Sequence, residues 1–140
     1  MSTTKESFIA ELNKALEWEY AAAIQYVQHA AMITGDEYDA ITKELIVHSN
    51  EEMTHAVMVS NIITDLKGVP TIDVEKREVS ADSKTMLEQD LAGEELAISL
   101  YKKLIQSTDE LKEYGIRRVL EDILLQEEEH RRDLLNSLGK

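Results

Sequence analysis

Four stretches of this 140-residue sequence place apolar residues at alternating steps of three and four, and each stripe is broken near its middle by ionisable side chains. The first reads Ile9, Leu12, Leu16, Glu19, Ala23, Tyr26, Ala30 and Ile33. The second reads Tyr38, Ile41, Leu45, His48, Glu52, His55, Val59, Ile62 and Leu66. The third is Leu87, Leu91, Glu94, Ile98, Tyr101 and Ile105, and the fourth is Ile116, Leu120, Ile123, Glu127, His130 and Leu134. Steps of three and four return side chains to one face of an α-helix. Four such faces bury themselves by meeting, so the pattern predicts an all-α bundle of four helices.

The boundaries follow from capping chemistry. Ser2, Thr3 and Thr4 offer N-caps for a first helix that ends near Thr34, where Gly35 stops it. Asp36 is expected to cap a second helix running to about Lys67, with Gly68 as its left-handed cap and Pro70 barring continuation. Residues 69–82 show no helical period and are long for a turn. A third helix is expected from Asp82 or Ser83 to about Ser107, then a short reversal in "STDELKEYG", then a fourth helix over roughly 112–138. Two short reversals and one longer connection give antiparallel pairs joined by a crossover between helices two and three. Residues 1–140 are expected to form one domain.

Composition narrows the setting. The chain has no cysteine, which excludes disulfides, thiolate zinc sites and ordinary iron–sulfur clusters, and agrees with a cytoplasmic location. "MSTTKESF" has no apolar signal core and no run is long enough to span a bilayer, so a soluble protein without membrane contact is expected. The net charge of −13 opposes binding to a nucleic-acid backbone and draws cations instead, although an acidic surface also serves solubility.

Glu19, Glu52, His55, Glu94, Glu127 and His130 stand where a core calls for leucine. Each buried, unpaired carboxylate costs several kcal/mol, and a domain that is stable by only about 5–15 kcal/mol cannot absorb four of them. Height along the bundle decides whether they can meet. Glu19 lies 16 residues before Gly35, with Glu52 and His55 17 and 20 after it. With the other pair reversing near Lys112, Glu94 is 18 residues before it, and Glu127 and His130 are 15 and 18 after. At about 1.5 Å per residue each set falls within roughly one turn of a common level, so the six side chains are expected to converge. Four carboxylates and two imidazoles then balance two divalent cations, and this donor set suits iron or manganese. One Glu-x-x-His on an acidic helix is an ordinary surface feature. Two copies and two lone glutamates, all on core stripes at matched height, are not. A buried hydrogen-bonded network without metal is the competing reading.

One glutamate from each of two helices plus Glu-x-x-His from each of the others resembles the ferritin-like di-metal proteins. The segments "LNKALEWEYAAAIQYVQHAAM", "EEMTHA", "DLAGEELA" and "QEEEH" are similar to the four site segments of bacterioferritin, over nearly the whole chain. That resemblance implies an antiparallel ferritin-like bundle and a ferroxidase that oxidises Fe(II) with O2 or H2O2 for iron storage and detoxification. It implies that Glu19 and His55 hold one iron and Glu94 and His130 the other. Glu52 and Glu127 would bridge them, with Tyr26 packed beside the centre. It also implies that Met53 is a haem ligand, one from each of two subunits. A second apolar face, with Tyr20, Ile24, Val27 and Ala31 on the first helix and Ile46, Met53 and Val57 on the second, fits a subunit contact there. A methionine packed in a dry interface is the plainer reading of Met53.

The chain also departs from that family. It stops at "NSLGK", without a fifth helix, so a dodecamer or a dimer is expected rather than a 24-subunit shell. Val47 stands where the family often has an inner-surface histidine, and Asp133 replaces an aromatic residue, which bears on electron transfer and mineral growth. His48, one turn before Glu52, reads as a satisfied core histidine or an extra ligand. Trp18 and Met32 read as packing residues. The alternatives are a rubrerythrin-type reductive peroxidase drawing on an electron-donor protein, a manganese catalase, a DNA-protecting mini-ferritin and a non-catalytic di-metal assembly module. The mini-ferritins place their sites between subunits and do not need paired Glu-x-x-His motifs.

Overall fold

Thr4 opens the first helix with a reciprocal cap: its hydroxyl accepts from the Ser7 N–H at 3.0 Å, and the Ser7 hydroxyl accepts from the Thr4 N–H at 2.9 Å. In the computed structural model, which describes residues 2–140, this helix is α1 (Lys5–Met32). A short 3-10 turn (Asp36–Tyr38) leads into α2 (Asp39–Asp65), followed by α3 (Ser83–Leu111) and α4 (Tyr114–Ser137). The four-helix bundle with one long crossover is the predicted architecture. Among the described residues no helix is long and apolar enough to cross a membrane.

Several boundaries differ from the sequence reading, each for a local reason. Asp36 enters the 3-10 turn and gives no side-chain cap to α2. At the end of α2 the left-handed residue is Lys67 (φ 68°), not Gly68. The Gly68 N–H donates to the Ile63 carbonyl and the Lys67 N–H to the Thr64 carbonyl, the paired closure of a Schellman motif. Gly68 is needed for a different reason. A Cβ there would lie 2.8 Å from Ile9 Cγ2 and 3.0 Å from Ile63 Cγ2, so its missing side chain lets the chain pass close over α1 and α2.

The third helix runs on through "STDEL" to Leu111, leaving a reversal of only Lys112 and Glu113. Thr108 is fully buried and its hydroxyl donates to the Ile105 carbonyl within the helix, so a polar turn-like sequence is absorbed as helix. Lys112 (φ 57°) then closes a second Schellman motif, with Glu113 N–H donating to the Thr108 carbonyl. The third helix starts at Ser83, within the expected bounds, and Asp82 caps it by accepting from the Thr85 N–H at 2.9 Å.

Packing places α1 along α2 and α3 along α4, with α1 beside α3 and a looser approach of α2 to α4. The apolar core is split in two. One cluster gathers Phe8, Leu12, Leu16, Val59, Ile63, Leu104, Leu120 and Ile123, and the other Tyr26, Ile41, Leu45, Leu87 and Leu134. The polar stripe residues fall between these clusters. Residues 69–82 cross from α2 to α3 by running along α1: Asn13 donates to the Val69 carbonyl and accepts from the Thr71 N–H, and Gln25 donates to the Glu78 carbonyl. Arg77 reaches α3, donating to the Gln89 carbonyl.

Replacing Gly68 by alanine should destabilise the fold by about 1–3 kcal/mol, because β-branched Ile9 and Ile63 leave no slack for the new methyl. Urea denaturation measures this, and a loss below about 0.5 kcal/mol would show that the close approach is unimportant.

Candidate metal centre

The six residues singled out in the sequence come together between the two apolar clusters, and each is no more than 2% exposed. Their ligand atoms form two groups, Glu19–Glu52–His55–Glu127 and Glu52–Glu94–Glu127–His130, which share Glu52 and Glu127. Within each group all ligand atoms lie within 4.8 Å of one another. His55 Nδ1 stands 3.2 Å from Glu127 Oε1, 3.4 Å from Glu52 Oε1 and 3.5 Å from Glu19 Oε2. His130 Nδ1 stands 3.2 Å from Glu52 Oε1, 3.4 Å from Glu94 Oε1 and 3.5 Å from Glu127 Oε1.

Those separations exceed the roughly 2.7–2.9 Å of a closed charge-assisted hydrogen bond. They match the roughly 3.0–3.4 Å expected between two ligand atoms that each sit about 2.1 Å from one ion in octahedral or tetrahedral geometry. The pattern of unpartnered atoms agrees. Glu19 Oε2, Glu52 Oε1, His55 Nδ1, Glu94 Oε2, both Glu127 oxygens and His130 Nδ1 are buried without a hydrogen-bond partner. Seven buried polar atoms left free around one centre is far from the norm for protein interiors. The donor set fits a pair of divalent cations.

One oxygen each of Glu19 and Glu94 and the outer nitrogens of both histidines are occupied, and their partners orient them. Tyr26 Oη donates to Glu94 Oε1 at 2.6 Å, and Tyr101 Oη donates to Glu19 Oε1 at 2.7 Å, which leaves the second oxygen of each carboxylate free. On the other side, His55 Nε2–H donates to Gln126 Oε1 at 2.6 Å and His130 Nε2–H to Glu51 Oε1 at 3.1 Å. Gln126 Nε2 in turn donates to Glu51 Oε2. These bonds fix both imidazoles with Nδ1 turned inward as the free donor.

Tyr26 was expected beside the centre, whereas Tyr101, Glu51 and Gln126 were not singled out. A signal for them exists in the sequence: each tyrosine follows its lone glutamate by seven residues, and Glu51 and Gln126 each precede a shared glutamate by one.

His48 is a packed histidine with a specific partner. It is 1% exposed, donates from Nε2–H to Asp133 Oδ2 at 3.1 Å, and stacks on the His130 ring at 4.1 Å. Asp133 thus ties α4 to α2 through a hydrogen bond. A further pair escaped the sequence reading altogether. His29 and Asp90, 0% and 2% exposed, join α1 to α3 through a 2.9 Å bond beyond Tyr26 and Glu94. Met53 does not reach the centre. It lies 45% exposed on the outer face of α2, near Ile24, Val27 and Val57, which are also exposed.

The electrostatics follow from crowding. Burial, then the charges of Glu19 and Glu94, hold the Glu52 carboxyl well above its usual range, and burial with Glu19, Glu52 and Glu94 does the same to Glu127. Burial alone would lower His130, but Glu94, Glu127 and Glu51 outweigh it and raise its pKa to about 9. Glu127, Glu19 and Glu52 likewise override burial at His55 and raise it strongly. Burial keeps Tyr26 and Tyr101 protonated well beyond the ordinary tyrosine range, so both remain donors.

A bundle whose core holds four carboxylates and two imidazoles as two ligand groups sharing a pair of glutamates is a di-metal carboxylate protein. Comparison with known proteins gives the family. The ferritin-like domain matches residues 9–140. The chain is 32% identical to a bacterioferritin of Brucella melitensis, over 94% of this chain and 86% of that protein. It superposes with a TM-score of 0.92 on a ferritin-like di-iron carboxylate protein of Bacillus anthracis, at 28% identity over 99% of both chains. It superposes at 0.90 on a dodecameric thioferritin related to bacterioferritin, from Bacteroides fragilis, at 30% identity over 99% of this chain and 88% of that one. The chain belongs to the ferritin-like family of di-iron carboxylate proteins.

In the metal-free protein, stability should fall as pH rises. Glu52, Glu127 and His130 have folded pKa values raised above the unfolded 4.5, 4.5 and 6.5, so the folded cluster keeps protons that the unfolded chain releases. The stabilisation is complete below those unfolded values and is lost as pH climbs toward about 9. Between pH 6 and 9 the apo midpoint should drop by on the order of 5 °C, and saturating Co(II) should remove the slope by displacing the protons. Calorimetry across that range checks it, and an apo midpoint that rises with pH contradicts the assignment.

Proposed function

We propose that this chain is a ferroxidase of the bacterioferritin type, for which ferrous iron is the substrate. The observation that carries this reading is the pair of four-ligand groups sharing Glu52 and Glu127, with the free donor atoms facing inward. Glu19 and His55 would hold one ferrous ion, Glu94 and His130 the other, and Glu52 and Glu127 would span both. Each ion gives up one electron. With hydrogen peroxide, two Fe(II) and two protons yield two Fe(III) and two waters; with dioxygen, two Fe(II) and two protons yield two Fe(III) and hydrogen peroxide. A spacing of about 3.5–4 Å between the ions lets one small oxidant address both.

The protein's part is positioning. Tyr26 and Tyr101 hold the terminal glutamates by one oxygen each, and their raised pKa values keep them neutral donors throughout. Gln126 and Glu51 fix the imidazole tautomers. The apolar clusters on either side keep bulk water from the cations. The net charge of −13 raises the local concentration of ferrous ions.

The same reading makes the α1–α2 outer face a contact between copies in a homo-oligomer. The similarity to a dodecameric relative supports a dodecamer, and a cysteine-free sequence suits a cytoplasmic location. Met53 would be the haem ligand on that face. It stands beside an apolar hollow of about 200 Å³ lined by Ala23, Ile24, Val27 and Ser49, a lining suited to the edge of a porphyrin. Met53→Leu should abolish haem absorbance in protein purified with haem while leaving metal binding at the centre intact.

The direct test adds graded Fe(II) to anaerobic protein, then oxygen or peroxide, with absorbance followed by stopped flow. A fast phase saturating near about two irons per chain is expected, followed by slower uptake where a mineral grows. His130→Ala and Glu52→Ala should each slow that phase by about a hundredfold or more with the helices retained, since each removes a ligand. Saturation without further uptake would point to the reductive peroxidase or to a small assembly with no cavity, and wild-type rates in both variants would falsify the ferroxidase assignment.

A further inference from the structure

On the α1–α3 side, under the crossover, lies an open hollow of about 260 Å³. Behind it a second space of about 10 Å³ extends inward to Glu19, Glu52 and Glu127 of the centre. That volume admits one water-sized molecule. Trp18, Arg77 and Gly93 line both spaces and so form the neck between them. The inner walls are built from Ala15 and Ala22 of α1 and Ala97 of α3, all small enough to leave the seam open.

Arg77 is fixed in this neck by three separate contacts. Its Nη2 donates to the Gln89 carbonyl at 3.3 Å, and its guanidinium carbon lies 5.6 Å from the centre of the Trp18 ring. It also fills the notch left by Gly93, where a Cβ would come within 2.3 Å of Nη2. A cationic group is thus clamped over a narrow passage to four carboxylates. The attraction those carboxylates exert on cations would act through any opening, and a fixed positive charge at the neck opposes it there. A small neutral molecule feels no such electrostatic barrier. A hydrated divalent ion meets both the charge and the width. The opposite α2–α4 side has the reverse character, with Glu51 and Asp133 partly open to solvent beside His130 and His48.

We propose that the α1–α3 seam is the passage by which the oxidant, a neutral molecule the size of hydrogen peroxide or dioxygen, reaches the centre, and that Arg77 on Trp18 forms a neck excluding divalent cations from it. The oxidant half of this inference rests on the ferroxidase reading, whereas the neck rests on its own geometry.

Trp18 is the only tryptophan in the chain, so its fluorescence reports on the neck without any metal at the centre. In full-length protein, quenching by Cs⁺ should be weak relative to quenching by neutral acrylamide. Arg77→Ala should raise the Cs⁺ quenching constant by about threefold relative to acrylamide, and Arg77→Lys should not, because it keeps the charge. Unchanged Cs⁺ quenching in Arg77→Ala overturns the neck. The passage is tested with Ala97→Leu, which fills the inner space. The peroxide step of the ferrous-loaded protein should slow by about tenfold, while Co(II) stoichiometry and loading rate, read from Co(II) absorbance, stay within about twofold of wild type.

Equal slowing of Co(II) loading would make the seam the metal's route and overturn the proposal, and no slowing of either would place the oxidant's route elsewhere. Should Ala97→Leu fail to fold, Ala97→Val, which adds less bulk to the same space, decides the passage. Its peroxide step should slow by about threefold with Co(II) loading unchanged, and an unchanged peroxide rate rejects the passage. A wild-type chain that binds Co(II) yet ignores peroxide sinks the ferroxidase reading, and the passage with it, and the Cs⁺ result still judges the neck.

Discussion

Four carboxylates buried at one level repel each other, and the rest of the structure can be understood as the means of holding them there. No apolar packing offsets that repulsion; it has to be met by protons, hydrogen bonds or cations. The protein uses the first two sparingly. One oxygen of Glu19 and one of Glu94 receive a tyrosine hydroxyl, and the imidazoles supply positive charge when protonated, yet seven ligand atoms stay unpartnered. Leaving them free is costly in the apo state. Apolar clusters hold the bundle closed on both sides of them, with fully buried Leu12, Leu16, Val59 and Leu120 on one and Leu45, Leu87 and Leu134 on the other.

Much of this was legible in the sequence because a helix ties position to direction. Glu52 and His55, or Glu127 and His130, share a face by their spacing, and the reversal at Lys112 sets the register of the second helix pair. What could not be read depended on partners on other helices. Tyr101 looks like one more core residue until its hydroxyl is seen to meet Glu19, 82 positions away. Glu51 and Gln126 look like solvated charge and amide beside the stripe, and they become part of the centre only through bonds between α2 and α4. His29 lies off the counted stripe of α1 and Asp90 off that of α3, so their buried pair had no intrahelical signal. The "STDEL" segment was misread for a related reason, since burial of Thr108 outweighs the turn preference of its residue types.

Those cross-helix bonds also show that the centre is built twice. Tyr26 of α1 serves Glu94 of α3, and Tyr101 of α3 serves Glu19 of α1 at the same separation along the helix. Gln126 of α4 serves His55 of α2, and Glu51 of α2 serves His130 of α4. Each helix pair therefore orients the ligands of the other. Removing one helix pair would leave half the ligands and none of their orienting partners, which ties assembly of the bundle to assembly of the site.

The repetition fails at one place, and the failure gives the centre a direction. Gln126 is neutral where its counterpart Glu51 is charged, and Asp133 adds a carboxylate against His48, so the α2–α4 side is acidic and partly open. The α1–α3 side instead receives the crossover, which brings Arg77 against Trp18 and Gly93 over walls of alanine. A symmetric pair of helix hairpins would treat cations and neutral molecules alike from both faces. Partly exposed carboxylates on one side and a guanidinium on the other make the two sides electrostatically opposite. On the proposed ferroxidase reading, that difference would serve a reaction that needs two ferrous ions and one neutral oxidant, because the attraction that gathers iron would not also fill the oxidant's path with iron.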